Sequence, residues 1–290
     1  MLYFLENKNM SVTVNSKGAE LTSLKEISNN YEYIWQGDEK YWAGQSPCLF
    51  PIVGNLNEKS YLFKGKTYTL NTHGFAKDKE FLVVQKDNTH LYCLISYDDS
   101  TLEVYPFKFE LAIEYILESN KLFVKYEVRN LDNEIMWFSI GAHPGFNCAV
   151  NALTGRKCSI ISLDFQETAK RIINESGYLT GEETPFFQGT KDIDLGTIDF
   201  DHSQKVLIFK GLKSQRATLT GAKSISVGIE GFPFLGIWSP QNSAPFVCIE
   251  PWYGVTDKIG VIGELTNKEG IQKLEPGRTF KCTYYIECHI

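Results

Sequence analysis

The chain has 290 residues, 43% hydrophobic and 22% charged, which is globular composition with enough apolar material for a sizeable core. Its formal net charge is −6, and its basic residues are scattered rather than gathered into the stripe that phosphate contacts require, which argues against nucleic acid or an anionic membrane as partner. Length alone allows two domains, but no Pro-, Gly- or Ser-rich linker and no repeat period divides the sequence, so one domain over residues 1–290 is expected.

The opening residues, Met1 to Lys8, lack a basic region followed by a long apolar core, and no later run approaches the roughly 18 apolar residues of a membrane span. From there short alternating runs are broken by turn residues. Tyr61–Phe63 and Lys66–Leu70 flank Lys64-Gly65 and read as a tight hairpin, with glycine supplying the positive φ. Glu80–Gln85 and Leu91–Tyr97 form a second hairpin, and Phe107–Leu117 with Lys121–Val128 a third. Asn130 to Asn133 then turns the chain into a strand over Ile135–Ile140. Strands recurring about every ten residues predict an all-β sandwich or barrel. Helical periodicity is confined to Asn267–Leu274, while Ser203–Leu212 fits strand or helix equally. Residues 150–200, of mixed polarity, are the least readable.

Seven cysteines (Cys48, Cys93, Cys148, Cys158, Cys248, Cys282 and Cys288) are odd in number, show no Cys-x-x-Cys spacing, and often sit among apolar neighbours. They read as buried, reduced thiols in a cytoplasmic protein rather than a disulfide framework or zinc site. The Gly-x-Gly-x-x-Gly fingerprint, the Walker A loop and the Gly-x-Ser-x-Gly elbow are missing, and no His-x-His or His-Glu-x-x-His spacing suggests a metal. Acid–base chemistry with no cofactor and no metal is the expectation.

Two segments carry that chemistry. Ile140-Gly-Ala-His143-Pro-Gly-Phe146-Asn147 and Val247-Cys-Ile-Glu250-Pro-Trp252-Tyr-Gly254 each place an ionisable side chain where an apolar strand meets a Pro/Gly turn. There a side chain can project into a cleft from a rigid scaffold. A carboxylate among Ile249, Pro251 and Trp252 is desolvated, which raises its pKa toward that of a general base, and a histidine is the natural complementary acid. These two side chains are expected to face one another across a single cleft within about 10 Å, the reach of one small substrate held between an acid and a base. Taken alone, each such residue is more often structural, and His90, His202 and His289 take that bland reading.

Taken in order, Leu49-Phe-Pro-Ile-Val-Gly54, His73-Gly-Phe75-Ala, the His143 segment and the Glu250 segment resemble the galactose mutarotase-like superfamily, and within it the LacX-type branch of the aldose 1-epimerases. The likeness runs from near the amino terminus to the end and rests on the order and spacing of short motifs. It implies an antiparallel β-supersandwich of about 30 strands. It also implies a mechanism in which Glu250 takes the proton of the anomeric hydroxyl, His143 protonates the ring oxygen, and His73 orients the sugar. Lys77, Asn55, Gln45, Phe75, Trp252 and Asp201 are the implied substrate-binding residues, with Trp238 and Phe146 as further ring faces for stacking.

Relatives carry arginines where this chain has Gln45 and Asn55, and usually one where it has Lys77. The guanidinium supply for a phosphate is thus thin, which favours an unphosphorylated aldose as the small-molecule partner. Three alternatives stay open: a hexose-6-phosphate 1-epimerase, a non-catalytic carbohydrate-binding protein of the same fold, and, more remotely, a two-carboxylate glycosidase. The sequence also leaves a homodimer open.

Overall fold

The computed structural model describes residues 1–202, 206–260 and 262–290. Period-two alternation builds it: along Lys121–Asn130, Leu122, Val124, Tyr126 and Val128 turn inward while the residues between them face out. The three expected hairpins form as Ser60–Phe63 with Lys66–Thr69, Leu82–Asp87 with His90–Ser96, and Phe109–Glu118 with Lys121–Asn130. At the first, Lys64 and Gly65 both take positive φ (51° and 74°), the twist-matched turn of a two-residue hairpin.

Strands Leu2–Glu6, Met10–Asn15, Glu20–Glu26 and Tyr31–Glu32 make a four-stranded sheet. A 15-stranded antiparallel sheet contains most of the rest. One end of it runs Cys48–Leu49, Ile140–Ala142, Phe246–Tyr253, Phe234–Trp238, Val206–Lys210 and Ile160–Glu175. Its other part runs from Arg216–Thr220 through Thr279–His289 to Leu82–Asp87. One apolar core joins Leu5, Met10, Val12 and Val14 of the first sheet to Leu111, Val124, Ile286 and their neighbours in the second. The result is a β-supersandwich, with 23 strands among the described residues rather than about 30. Part of the difference is that Ile160–Glu175 and Tyr178–Asp194 run on as single strands through several register shifts.

Four local expectations need correction. The strand over Ile135–Ile140 is two strands that part at Ser139: Met136–Phe138 pairs with Gln272–Leu274, and Ile140–Ala142 with Phe246–Tyr253. The helix over Asn267–Leu274 does not form, because a 3-10 turn at Leu265–Asn267 is followed by Gly270 in the left-handed region (φ 73°) and then by strand Gln272–Leu274. A short helix, Asp99–Val104, exists instead, started by an Asp98–Thr101 capping box. Six cysteines are buried as expected, but Cys158 is exposed, and all are free. In the ambiguous 203–212 stretch, Val206–Lys210 is strand, and residues 203–205 lie outside the described residues. Among the described residues no helix is long and apolar enough to cross a membrane.

Candidate active site

Strand Phe246–Tyr253 is buried on both faces, so it reads as an unbroken apolar run interrupted by one carboxylate. Alternation puts Phe246, Cys248, Glu250 and Trp252 on one face of it. Gly236 and Gly141, on the two flanking strands, make room for the Trp252 indole. A Cβ on Gly236 would lie 2.4 Å from its ring, and one on Gly141 2.5 Å.

Two short strands pair with this one on the same side, Gly141 opposite Trp252 and Gly145 opposite Cys248. The chain between them, His143-Pro144, leaves the ladder opposite Glu250, held by the Ile249 N–H donating to the Pro144 carbonyl at 3.3 Å. His143 therefore faces Glu250, with Nε2 standing 3.2 Å from Oε2. This is well inside the expected 10 Å reach of one sugar ring. The two side chains are 7% and 1% exposed, and His143 Nδ1 and both Glu250 oxygens make no hydrogen bond to the protein. Burial pushes the Glu250 carboxyl well above the usual carboxylate range, opposed by the neighbouring Trp252 indole N–H. Burial, helped by nearby His73, pushes His143 well below the ordinary imidazole value.

His73 arrives from the loop after the first hairpin in a left-handed conformation (φ 66°), laced to the 50–54 segment by backbone hydrogen bonds. Its Nδ1 accepts the Gly54 N–H at 3.1 Å, so the neutral ring carries its proton on Nε2 and can donate it. Burial, with the Lys77 ammonium adding to it, lowers its pKa to about 4. Its ring centroid lies 5.4 Å from that of His143.

These three residues line a cleft of about 690 Å³, within the range of small-molecule sites. Lys77, Asn55, Trp252 and Trp238 line it too. Asn55 is already committed: its side chain donates to the Gly177 carbonyl and accepts from Thr72 Oγ1. Lys77 is paired with Asp78 on the rim.

Four candidate positions lie elsewhere. Gln45 does not line the cleft; its amide donates to the Thr22 and Trp35 carbonyls and braces the first sheet. Phe75 turns into the core against Phe50, Tyr105 and Phe109. Phe146 is fully buried in the main apolar core and does not line the cleft. Asp201 accepts from the backbone and side chain of Asn242 and lines a separate depression that shares Gly177, Val206 and Trp238 with the cleft.

Sequence reasoning missed Trp42 and Thr256. The Trp42 ring tilts over His143 with centroids 4.9 Å apart, and Thr256 Oγ1 donates to Gly177 to tie the cleft wall together. Neither sits in a readable pattern, since Trp42 belongs to an irregular loop and Thr256 to the chain beyond the last motif.

Comparison with known proteins identifies the family. Residues 1–282 match the family model described as Aldose 1-epimerase. The chain is 33% identical to the chromosomal form of protein LacX from Lactococcus lactis, over 97% of each chain. It superposes on a galactose mutarotase-like protein from Lactobacillus casei with a TM-score of 0.93 at 30% identity, covering 100% of both chains. A galactose mutarotase related enzyme from Lactobacillus acidophilus gives a TM-score of 0.93 at 31% identity, over 100% of this chain and 98% of that one.

Proposed function

The chain belongs to the aldose 1-epimerase family, and from that premise we propose that it interconverts the α and β anomers of a free hexose such as galactose or glucose. The observation that carries the reading is the desolvated His143–Glu250 pair, 3.2 Å apart at the cleft wall, with a His73 donor beside it.

The pair works with a single proton between its members. With a cyclic sugar bound, the working form is Glu250 carboxylate and His143 imidazolium. Glu250 takes the proton of the anomeric hydroxyl while His143 gives one to the ring oxygen; the C1–O5 bond breaks and the C1–O1 bond becomes a carbonyl. The site now holds a neutral carboxylic acid and a neutral imidazole, the forms that burial favours in both groups. Rotation about C1–C2 presents the other carbonyl face. Reversal of both proton transfers then closes the ring as the opposite anomer, so no proton is drawn from solvent. His73 Nε2–H is a donor for oxygens that gain charge on the way.

Cleft charge supports a free sugar. The described lining residues include no arginine: Lys17 and Lys77 are balanced by Glu20 and Asp78. Arg156 is spent on the Gly196 and Ile198 carbonyls, and Arg171 and Arg216 do not line the cleft. Anomer-resolved NMR or polarimetry on freshly dissolved aldoses tests the reading. Acceleration over buffer is expected, and Glu250→Gln should lose at least about a hundredfold, the scale of a missing general base. A folded Glu250→Gln protein with ordinary turnover, or a parent without activity on any aldose, ends the proposal.

A further inference from the structure

Cys248 stands next to Glu250 on the inward face of the same strand and takes no part in the proton transfers proposed above. Its thiol, a nitrogen of His143 and a carboxylate oxygen of Glu250 all lie within 4.8 Å of one another, and all three side chains are buried. We infer that these residues form a latent thiolate site for a zinc-like divalent cation, which shuts the enzyme off by occupying its acid–base pair. The inhibitory half of this inference rests on the epimerase reading; the metal-binding half does not.

Three observations point the same way. The donor set of imidazole, thiolate and carboxylate is what zinc takes, and softer than magnesium or calcium prefer. The 3.2 Å between His143 Nε2 and Glu250 Oε2 is close to the spacing of about 3.3 Å between ligands of a tetrahedral ion with bonds near 2.0–2.1 Å. The Cys248 thiol, within 4.8 Å of the other two donors, closes on them to complete the face. Glu250, 1% exposed, has both oxygens without a hydrogen bond to the protein. These oxygens are free to ligate an ion once their proton is released on binding.

Charge closes the argument. An M²⁺ ion bound by one carboxylate, one thiolate and a neutral imidazole gives a site of zero net charge, which suits a pocket walled by Trp42, Trp238 and Phe246. Binding displaces the thiol proton and the proton shared by the pair to bulk water. The fourth position faces the cleft, where water or a sugar hydroxyl can fill it. Spacing rules could not show this site, because Cys248 and Glu250 are two apart on a strand and His143 comes from 105 residues upstream of Cys248.

Cobalt(II), which enters zinc sites and reports a thiolate ligand by a charge-transfer band in the near ultraviolet, is the probe. The titration uses full-length protein carrying Cys158→Ser, which removes the exposed thiol. A saturable band at one equivalent is expected, lost when Cys248→Ser or Cys248→Ala is added. Zinc inhibition of anomerisation should weaken at least about tenfold in Cys248→Ala, while activity without metal stays ordinary. No band in the folded Cys158→Ser protein, or a band that survives both Cys248 substitutions, overturns the site. A cobalt band in a protein that turns over no aldose sinks the epimerase reading and leaves the metal site standing. Turnover that zinc inhibits equally in parent and Cys248→Ala does the reverse.

Discussion

Replacing Glu250 by Gln should stabilise the fold, and the gain should grow with pH. The folded carboxyl is raised by burial above its ordinary 4.5, so between that value and the folded one the native chain keeps a proton that the unfolded chain has released. The stability contributed by the protonated acid is complete below the unfolded pKa and is lost as pH rises through the folded one. Within that window the parent loses about 1.4 kcal/mol per pH unit, one proton's worth of linkage. Glu250 is 1% exposed, so little of this is screened by solvent. Glutamine has no such titration. His143, lowered by burial, tilts the pH profile of both proteins in the opposite sense below its ordinary value and largely cancels in their difference. The melting-temperature gap between variant and parent should therefore widen by about 2–4 °C per pH unit between the ordinary carboxyl value and the raised folded one, and level off above it. Thermal unfolding followed by circular dichroism across pH 5.5–8 measures it. A gap that is the same at every pH would refute the claim that a desolvated carboxyl is held in the cleft wall.

Two further outcomes follow from the same walls. Gly236→Ala drives a methyl to 2.4 Å from the Trp252 ring, so it should cost about 1–3 kcal/mol by overpacking and raise KM, read by thermal unfolding and by saturation kinetics. Free aldoses should show a higher kcat/KM than their 6-phosphates, since the described cleft offers two lysines, one of them paired, and no guanidinium fork; a larger value for glucose 6-phosphate refutes this.

The three hairpins were legible because alternation and turn chemistry are local and agree, as at Lys64-Gly65. Glu250 and His143 were legible because each stands where an apolar run meets a Pro/Gly turn, and because the order of the motifs outweighed the structural reading that each takes alone. Reading binding residues from closeness to a motif was less secure. Phe75 is two residues from His73, yet points into the core, and Gln45 spends its amide on backbone carbonyls. Residues 150–200 were the least readable because the two long strands within 160–194 leave many side chains exposed or half-buried and slip register at bulges, which erases the alternation. Trp42 shows the remaining limit: its place over His143 is set by its loop, where the Trp42 carbonyl accepts from Trp35 Nε1.

Glu250 and His143 also explain each other's environment. A lone buried carboxylate or a lone buried imidazolium would be expensive, because each loses its hydration with nothing to replace it. Side by side they need only one proton, and either placement of that proton leaves the pair with no net charge. The cost of burying them is therefore paid down by the same arrangement that lets a sugar borrow one proton and return another. Desolvation favours the neutral acid and neutral imidazole, while a bound cyclic sugar must draw the pair toward carboxylate and imidazolium through its own hydrogen bonds and the His73 donor. A pyranose whose hydroxyls cannot reach both groups would leave the pair in its neutral form, so discrimination between sugars would appear in the rate of ring opening before it appeared in binding.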